Sequence, residues 1–130
     1  MNRRHRLSRS EEFQRVRRQG RQWSHPLLVL LAVRNDLDCT RFGFLVSKRI
    51  GKAVVRNRVR RLLREAARAR IGRIAVGWDL VLIARTSIIQ AGFWDIGEAL
   101  DSLLQRAELG SGSRAAPDTG IRFRSGGTDT

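Results

Sequence analysis

Between residues 41 and 73 the chain carries twelve Lys and Arg side chains against a single acid, Glu65. The densest stretch is Arg56-Asn57-Arg58, Arg60-Arg61, Arg64 and Arg68, preceded by Lys48, Arg49 and Lys52. Guanidinium and ammonium groups stay charged at neutral pH, so their chemistry here is the binding of phosphate oxygens rather than proton transfer. Like charges at i,i+3 and i,i+4 on a helix repel by a few tenths of a kcal/mol per pair. A solvated helix face normally relieves that repulsion by mixing signs; this one does not, which favours a polyanionic partner, nucleic acid, over simple solvation. Phe13 and Arg17, four residues apart, allow two readings. Phe13 is either a core residue of the first helix or a base-stacking surface beside a guanidinium.

Residues that make or break bonds are missing. The acids are scattered: Glu11 and Glu12 at a helix start, Asp36 and Asp38 around a turn, and Asp95, Glu98 and Asp101 along the last helix. The two histidines, His5 and His25, precede the core strands and pair with no acid in a metal or acid–base pattern. The glycines form neither GxGxxG nor a Walker loop. Cys39, the only cysteine, reads as an inert thiol in a turn. No catalytic residue and no protein metal site is therefore expected, and a self-sufficient nuclease is disfavoured.

The elements that must hold the basic residues are legible from periodicity. Ser8 with Glu11 fits a capping box ahead of a helix over about residues 9 to 19, stopped at Gly20. PLLVLLAV at 26–33 reads as a strand, the polar stretch to Thr40 as a turn, and RFGFLVS at 41–47 as the returning strand of a hairpin. Helix 54–70 places Val55, Val59, Leu62 and Ala66 on one stripe, flanked by Leu63, with Asn57, Arg61, Arg64 and Arg68 opposite and Arg60 at the edge. DLVLIAR at 79–85 is a buried strand, and 93–108 a final helix with Leu100, Leu103, Leu104 and Ala107 inward. Trp23, Trp78 and Trp94 are assigned to packing. The fold class is α+β, a two-layer sandwich of three helices on a small mixed sheet. Residues 1–109 form a single RNA-binding domain and 110–130, rich in Gly, Ser and Thr, a disordered tail.

Composition bounds the rest. The 130 residues allow one domain, and a 42% apolar share is enough to fold it without disulfide or metal. Of the 26 cations only Lys48 and Lys52 are lysine, a bias that suits phosphate but that genomic base composition explains nearly as well. The net charge of +14 is concentrated in residues 1–25 and 41–73, which implies a charged face. No signal-peptide core follows the basic start, and no apolar run approaches the roughly 20 residues of a membrane span, so a cytoplasmic protein is expected.

The segment FGFLVSKRIGKAVVRNRVRRLLREAAR at 42–68 closely resembles the signature of the bacterial ribonuclease P protein component. The V-S-K-R run at 46–49 and the triplet Arg56-Asn57-Arg58 are its most specific parts. RLSRSEEFQRVRRQG at 6–20 resembles the family's first helix and DLVLIART at 79–86 its last strand, so the likeness spans about residues 3 to 108. It implies a ribosomal-protein-like sandwich with a left-handed β-α-β crossover through helix 54–70, against the usual right-handed default. It further implies a subunit, monomeric within its particle, that joins a catalytic RNA. With Mg²⁺, that RNA removes the 5′ leader of precursor tRNA by phosphodiester hydrolysis. Lys48, Arg49, Arg56, Asn57, Arg58 and Arg61 would face the catalytic RNA. Phe13, Arg60 and Arg64 would line the leader cleft with Ser47 near its floor, and Arg17 would contribute stacking or a phosphate contact.

The sequence departs from the family pattern at Arg17 and Leu31, where relatives often carry aromatics, so stacking in the cleft rests mainly on Phe13. Lys52 adds charge to the loop, and Arg60 replaces a frequent Lys. Other readings are a ribosomal or other structural RNA-binding protein, which would not need the V-S-K-R…R-N-R spacing, and a membrane-surface protein. The latter is disfavoured because the stripe of helix 54–70 is rich in Val and Ala and lacks large anchors.

Overall fold

The computed structural model describes residues 3–109, and the tail expected at 110–130 lies outside the described residues. The chain forms α1 (Ser10–Gln19), β1 (Arg21–Ser24), β2 (Leu28–Arg34), β3 (Arg41–Leu45), α2 (Ala53–Arg70), β4 (Trp78–Ala84) and α3 (Phe93–Arg106). The four strands make one mixed sheet in the order β1-β2-β4-β3, so the α+β class is as expected. Strand β3 runs parallel to β4, and α2 is the crossover between them.

The hairpin expected between 26–33 and 41–47 does not form. Strand β4 lies between those two segments, antiparallel to β2 and parallel to β3. The reason is burial. Leu80 and Leu82 point to one face of β4 and Val81 to the other, and all three are fully buried, which only a central strand allows. Strand β2 finds its hairpin partner in β1, which sequence reasoning missed. Arg21-Gln22-Trp23-Ser24 has one apolar residue, too few to show a period of two. That residue, Trp23, is fully buried. The turn closes on His25, whose N–H donates to the Leu28 carbonyl at 2.9 Å and whose Nδ1 accepts the Leu27 N–H at 3.0 Å.

The two faces of the sheet are covered unequally. Leu28, Leu30, Phe42, Leu80 and Leu82 face α2 and α3 in the larger core. On the other face Leu31 and Val81 are buried with Val16 of α1, while Val29, Val33, Leu45 and Ile83 are only partly buried. Helix α1 is thus too short to roof its side of the sheet. Its N-terminus begins later than the serine suggests. Arg9 is the N-cap, and the Glu12 carboxylate, rather than Glu11, accepts the backbone N–H groups of Ser8 and Arg9 at 3.1 Å each. At the other end Gly20 is required by close approach, since a Cβ there would stand 2.5 Å from the Val16 carbonyl and 3.1 Å from that of Ala32.

The assignment of all three tryptophans to packing fails at Trp94, which is 81% exposed at the start of α3. Leu63 rather than Leu62 lies at the centre of the α2 stripe, with Val59, Ala66 and Ala67. Arg70 locks α2 to α3. Its Nε and Nη2 reach the two oxygens of Asp101 at 2.6 and 3.1 Å, and Nη1 donates to the Ala66 carbonyl at 2.9 Å. The hydrogen bonds from Arg70, chiefly, hold the Asp101 carboxyl below its usual range against the opposing effect of burial. A carboxyl depressed in the folded state stabilises above its unfolded value of about 4 and loses that contribution as pH falls through the lower folded value. Stability should therefore drop on acidification below about pH 4, and thermal melts of Asp101→Asn should show a shallower acid limb than the parent.

Candidate nucleic-acid interface

Two surfaces collect the residues singled out by sequence. The first is the uncovered strip of sheet beside α1. The strand registers align Ser24 with Val29, Val29 with Ile83, and Ile83 with Leu45, giving one half-buried row across all four strands. Phe13 stands over the neighbouring row, where Gly43 pairs with Val81. Its ring rests directly on the Gly43 backbone: a Cβ at position 43 would overlap Cε1 and stand 2.7 Å from Cζ. Both readings of Phe13 therefore hold in part. It packs on the sheet, yet stays only half-buried beside an open aliphatic strip. Arg17 is exposed in the last turn of α1. Ser47 is exposed two residues beyond Leu45, in extended backbone, and its Oγ accepts the Arg49 N–H at 3.3 Å. Leu31 is buried beneath α1 rather than in the open row.

The second surface is α2 with the 3-10 turn Lys48–Ile50 before it. Lys48, Arg49, Asn57, Arg58, Arg61 and Arg68 are exposed, while Arg56, Arg60 and Arg64 are half-buried. At about 100° per residue, Arg56, Arg60 and Arg64 climb one flank of the helix, Asn57, Arg61 and Arg68 its crest, and Arg58 the far flank. Arg56 thus adjoins Arg60 on the flank rather than Asn57 and Arg61 on the crest. Its Nε donates to the Gly51 carbonyl at 3.1 Å, which ties the loop to the helix. Arg60 Nη1 donates to Asn57 Oδ1 at 2.7 Å. Arg64 Nε is buried without a hydrogen-bond partner among the described residues, a costly state for a charged group's donor and one that an incoming acceptor would relieve. The stripe of α2 packs into the larger core, whereas Phe13 sits on the opposite sheet face. Phe13 and Ser47 are brought to one face, and Arg60 and Arg64 are held on a separate element.

A group that sequence reasoning missed sits beneath α1. Asp79 is fully buried and accepts from Arg41 Nε at 2.9 Å, Arg41 Nη2 at 2.8 Å and Asn35 Nδ2 at 2.8 Å, with Arg15 Nη1 at 3.4 Å. Arg41 Nη1 reaches Glu12 at 3.1 Å. Burial opposes ionisation of Glu12, but the Arg9 and Ser8 N–H groups and Arg41 outweigh it and hold the carboxyl below its ordinary value. The Asp79 hydrogen bonds raise Arg41 further against the opposing effect of burial. An aspartate at the head of an apolar strand was the available signal, since such a charge is rarely buried unless paired. Among the described residues no three His, Cys, Asp or Glu gather as a metal site needs, and no helix is long and apolar enough to cross a membrane.

Comparison with known proteins agrees with this fold. A family model described as Ribonuclease P matches residues 1–108. The chain is 46% identical to the ribonuclease P protein component of Roseiflexus castenholzii, over 87% of this chain and 93% of that one. It is 39% identical to the counterpart in Clostridioides difficile, over 79% and 91%. Among solved structures, the Staphylococcus aureus RNase P protein superimposes with a TM-score of 0.76 at 28% identity, covering 82% of this chain and 98% of that one. The Thermotoga maritima RNase P protein gives 0.72 at 32% identity, covering 78% and 96%.

Proposed function

The chain belongs to the ribonuclease P protein family, and on that premise we propose how its two surfaces serve the particle. Its function is that of the protein component of ribonuclease P, a tRNA-processing nuclease; the relatives do not support the alternative of a ribosomal protein. In our reading the protein binds and the RNA subunit cleaves. Lys48, Arg49, Asn57, Arg58 and Arg61, with Arg56 at the flank, contact the catalytic RNA. The 5′ leader of precursor tRNA lies along the strip beside Phe13, with Arg17, Ser47, Arg60 and Arg64 meeting its backbone.

The observation that carries this reading is the exposed cationic surface of Lys48, Arg49, Arg58 and Arg61, none of which forms an ion pair with a described residue, the one acid of the helix, Glu65, being engaged by Arg68. Such a surface gains by releasing counterions to a phosphate backbone. The Mg²⁺ of the reaction belongs to the RNA in this reading. Two observations support it: among the described residues no three His, Cys, Asp or Glu gather, and the one buried carboxylate, Asp79, is already engaged by Arg41, Asn35 and Arg15. In this reading the protein works in the cytoplasm, as a monomer within its particle.

The leader assignment is tested through Arg64. In the reconstituted particle, Arg64→Ala is expected to lower the slope of log leader affinity against log salt by about one unit, the signature of one lost phosphate contact. An unchanged slope removes Arg64 from the leader path. Co-purified RNA tests the larger reading: one long catalytic RNA is expected, and ribosomal RNA would overturn it.

A further inference from the structure

The buried Asp79 cluster lies directly under the helix that carries Phe13. Arg41 spends two arms of its fork on Asp79, Nε at 2.9 Å and Nη2 at 2.8 Å, and the third, Nη1, on Glu12 at 3.1 Å. Glu12 immediately precedes Phe13, and Arg15, two residues after it, also reaches Asp79. The helix is therefore pinned on both sides of the aromatic. Arg41, Gly43 and Leu45 follow one another on the same face of β3, so the clamp, the bare backbone under the ring and the open aliphatic row lie in line. Arg41 is less exposed than Arg68 of α2, and its ion-pair partners, Asp79 and Glu12, both belong to this protein.

We infer that Arg41, acting through Glu12 and anchored on Asp79, is a positioning residue that sets the seat of α1 and so the gap between Phe13 and the Leu45–Ile83–Val29 row. The inference rests on the reading that this strip takes the leader. It makes a prediction of unusual sign. Glu12→Gln removes a negative charge beside a surface that binds phosphate, so electrostatics alone would tighten leader binding. Loss of the clamp loosens α1 and weakens it. The amide can still accept the Ser8 and Arg9 N–H groups, so the helix start survives the change.

The test uses the particle reconstituted with its RNA subunit, and precursor tRNA carrying either a several-nucleotide or a single-nucleotide leader. Glu12→Gln is expected to weaken binding of the longer leader by about threefold to tenfold, the scale of one ordinary hydrogen bond lost at the partly exposed clamp. Affinity for the single-nucleotide leader and for the RNA subunit should be unchanged. Arg41→Lys should do the same, because an ammonium can serve Asp79 but lacks the fork that reaches Glu12 at once. The double variant should add nothing to either single one, which a general loss of stability would not produce. Tighter or unchanged long-leader binding in Glu12→Gln, with Phe13→Ala impaired, overturns the inference and leaves the leader path standing. If Phe13→Ala is also unimpaired, the leader path itself fails. Should Arg41→Lys not fold, Glu12→Gln alone decides.

Discussion

Replacing Arg49, Arg58 and Arg61 together by alanine is expected to weaken binding of the RNA subunit by about a hundredfold near 0.1 M salt, on the scale of 1 kcal/mol for each phosphate contact. The slope of log affinity against log salt should fall by about three units in the same titration. These three are chosen because they are exposed and unpaired among the described residues, so truncation removes no internal contact. Two arginines of the same helix serve as controls. Arg68 is engaged by Glu65 at 2.6 Å and Arg70 by Asp101 at 2.6 Å. Arg68→Ala should move the slope less than Arg61→Ala does. Arg70→Ala should lower the melting temperature with little effect on RNA affinity. A triple variant that binds with the parent's slope would mean that α2 and the turn before it do not meet the RNA backbone.

That contrast also shows what composition could and could not reveal. The twelve cations of residues 41–73 count as one block in the sequence, but they are not one surface. Arg41 and Arg70 turn inward to Asp79 and Asp101, and Arg56 braces the Gly51 loop. Helix α2 was legible because its 18 residues repeat the helical period several times over. Strand β4 was legible as a continuous apolar run. What a run of residues cannot state is its neighbours. Proximity in sequence suggested pairing β2 with β3, whereas burial of both faces of β4 inserts it between them. The Asp79 cluster was invisible for the same reason. Beyond Glu12 and Arg15, three apart on α1, its members at 35, 41 and 79 share no helical or strand spacing with them, and only the assembled sheet brings them together.

The candidate site shows the same division. Phe13 and Arg64 could be named from the family signature, but the signature says nothing of why Phe13 stays half-open. Position 43 answers that: a glycine lets the ring lie on β3, and the ring's outer edge then borders the uncovered row. Position 64 is explained by flank rather than by charge. It continues the Arg56–Arg60 row at the edge of the packed stripe, where its Nε loses water without gaining a partner among the described residues. Desolvation of that kind strengthens an interaction with an arriving phosphate relative to one made by a fully solvated arginine.

The largest effect on the free protein is expected from Asp79→Ala, a loss of about 3 kcal/mol in unfolding free energy, seen as a lower urea midpoint with an unchanged m-value. The magnitude follows from what is left behind. Arg41 would keep only Glu12, and the Asn35 amide would lose its 2.8 Å acceptor while remaining half-buried. Breaking a buried pair by removing one partner strands the other charge, and here the hub joins α1, β3, β4 and the turn after β2. Asp79→Asn keeps an oxygen acceptor and should cost less, about 1–2 kcal/mol. Arg15→Ala, whose side chain is 37% exposed and 3.4 Å from the carboxylate, should cost under about 1 kcal/mol. This ordering, Ala above Asn at 79 and both above Arg15→Ala, separates a charge-anchored hub from simple packing at the head of β4. If Asp79→Ala unfolds at the parent's midpoint, the carboxylate is not what holds α1 to the sheet. The seat of Phe13 would then depend on Gly43 and the Val16–Leu31–Val81 contact alone.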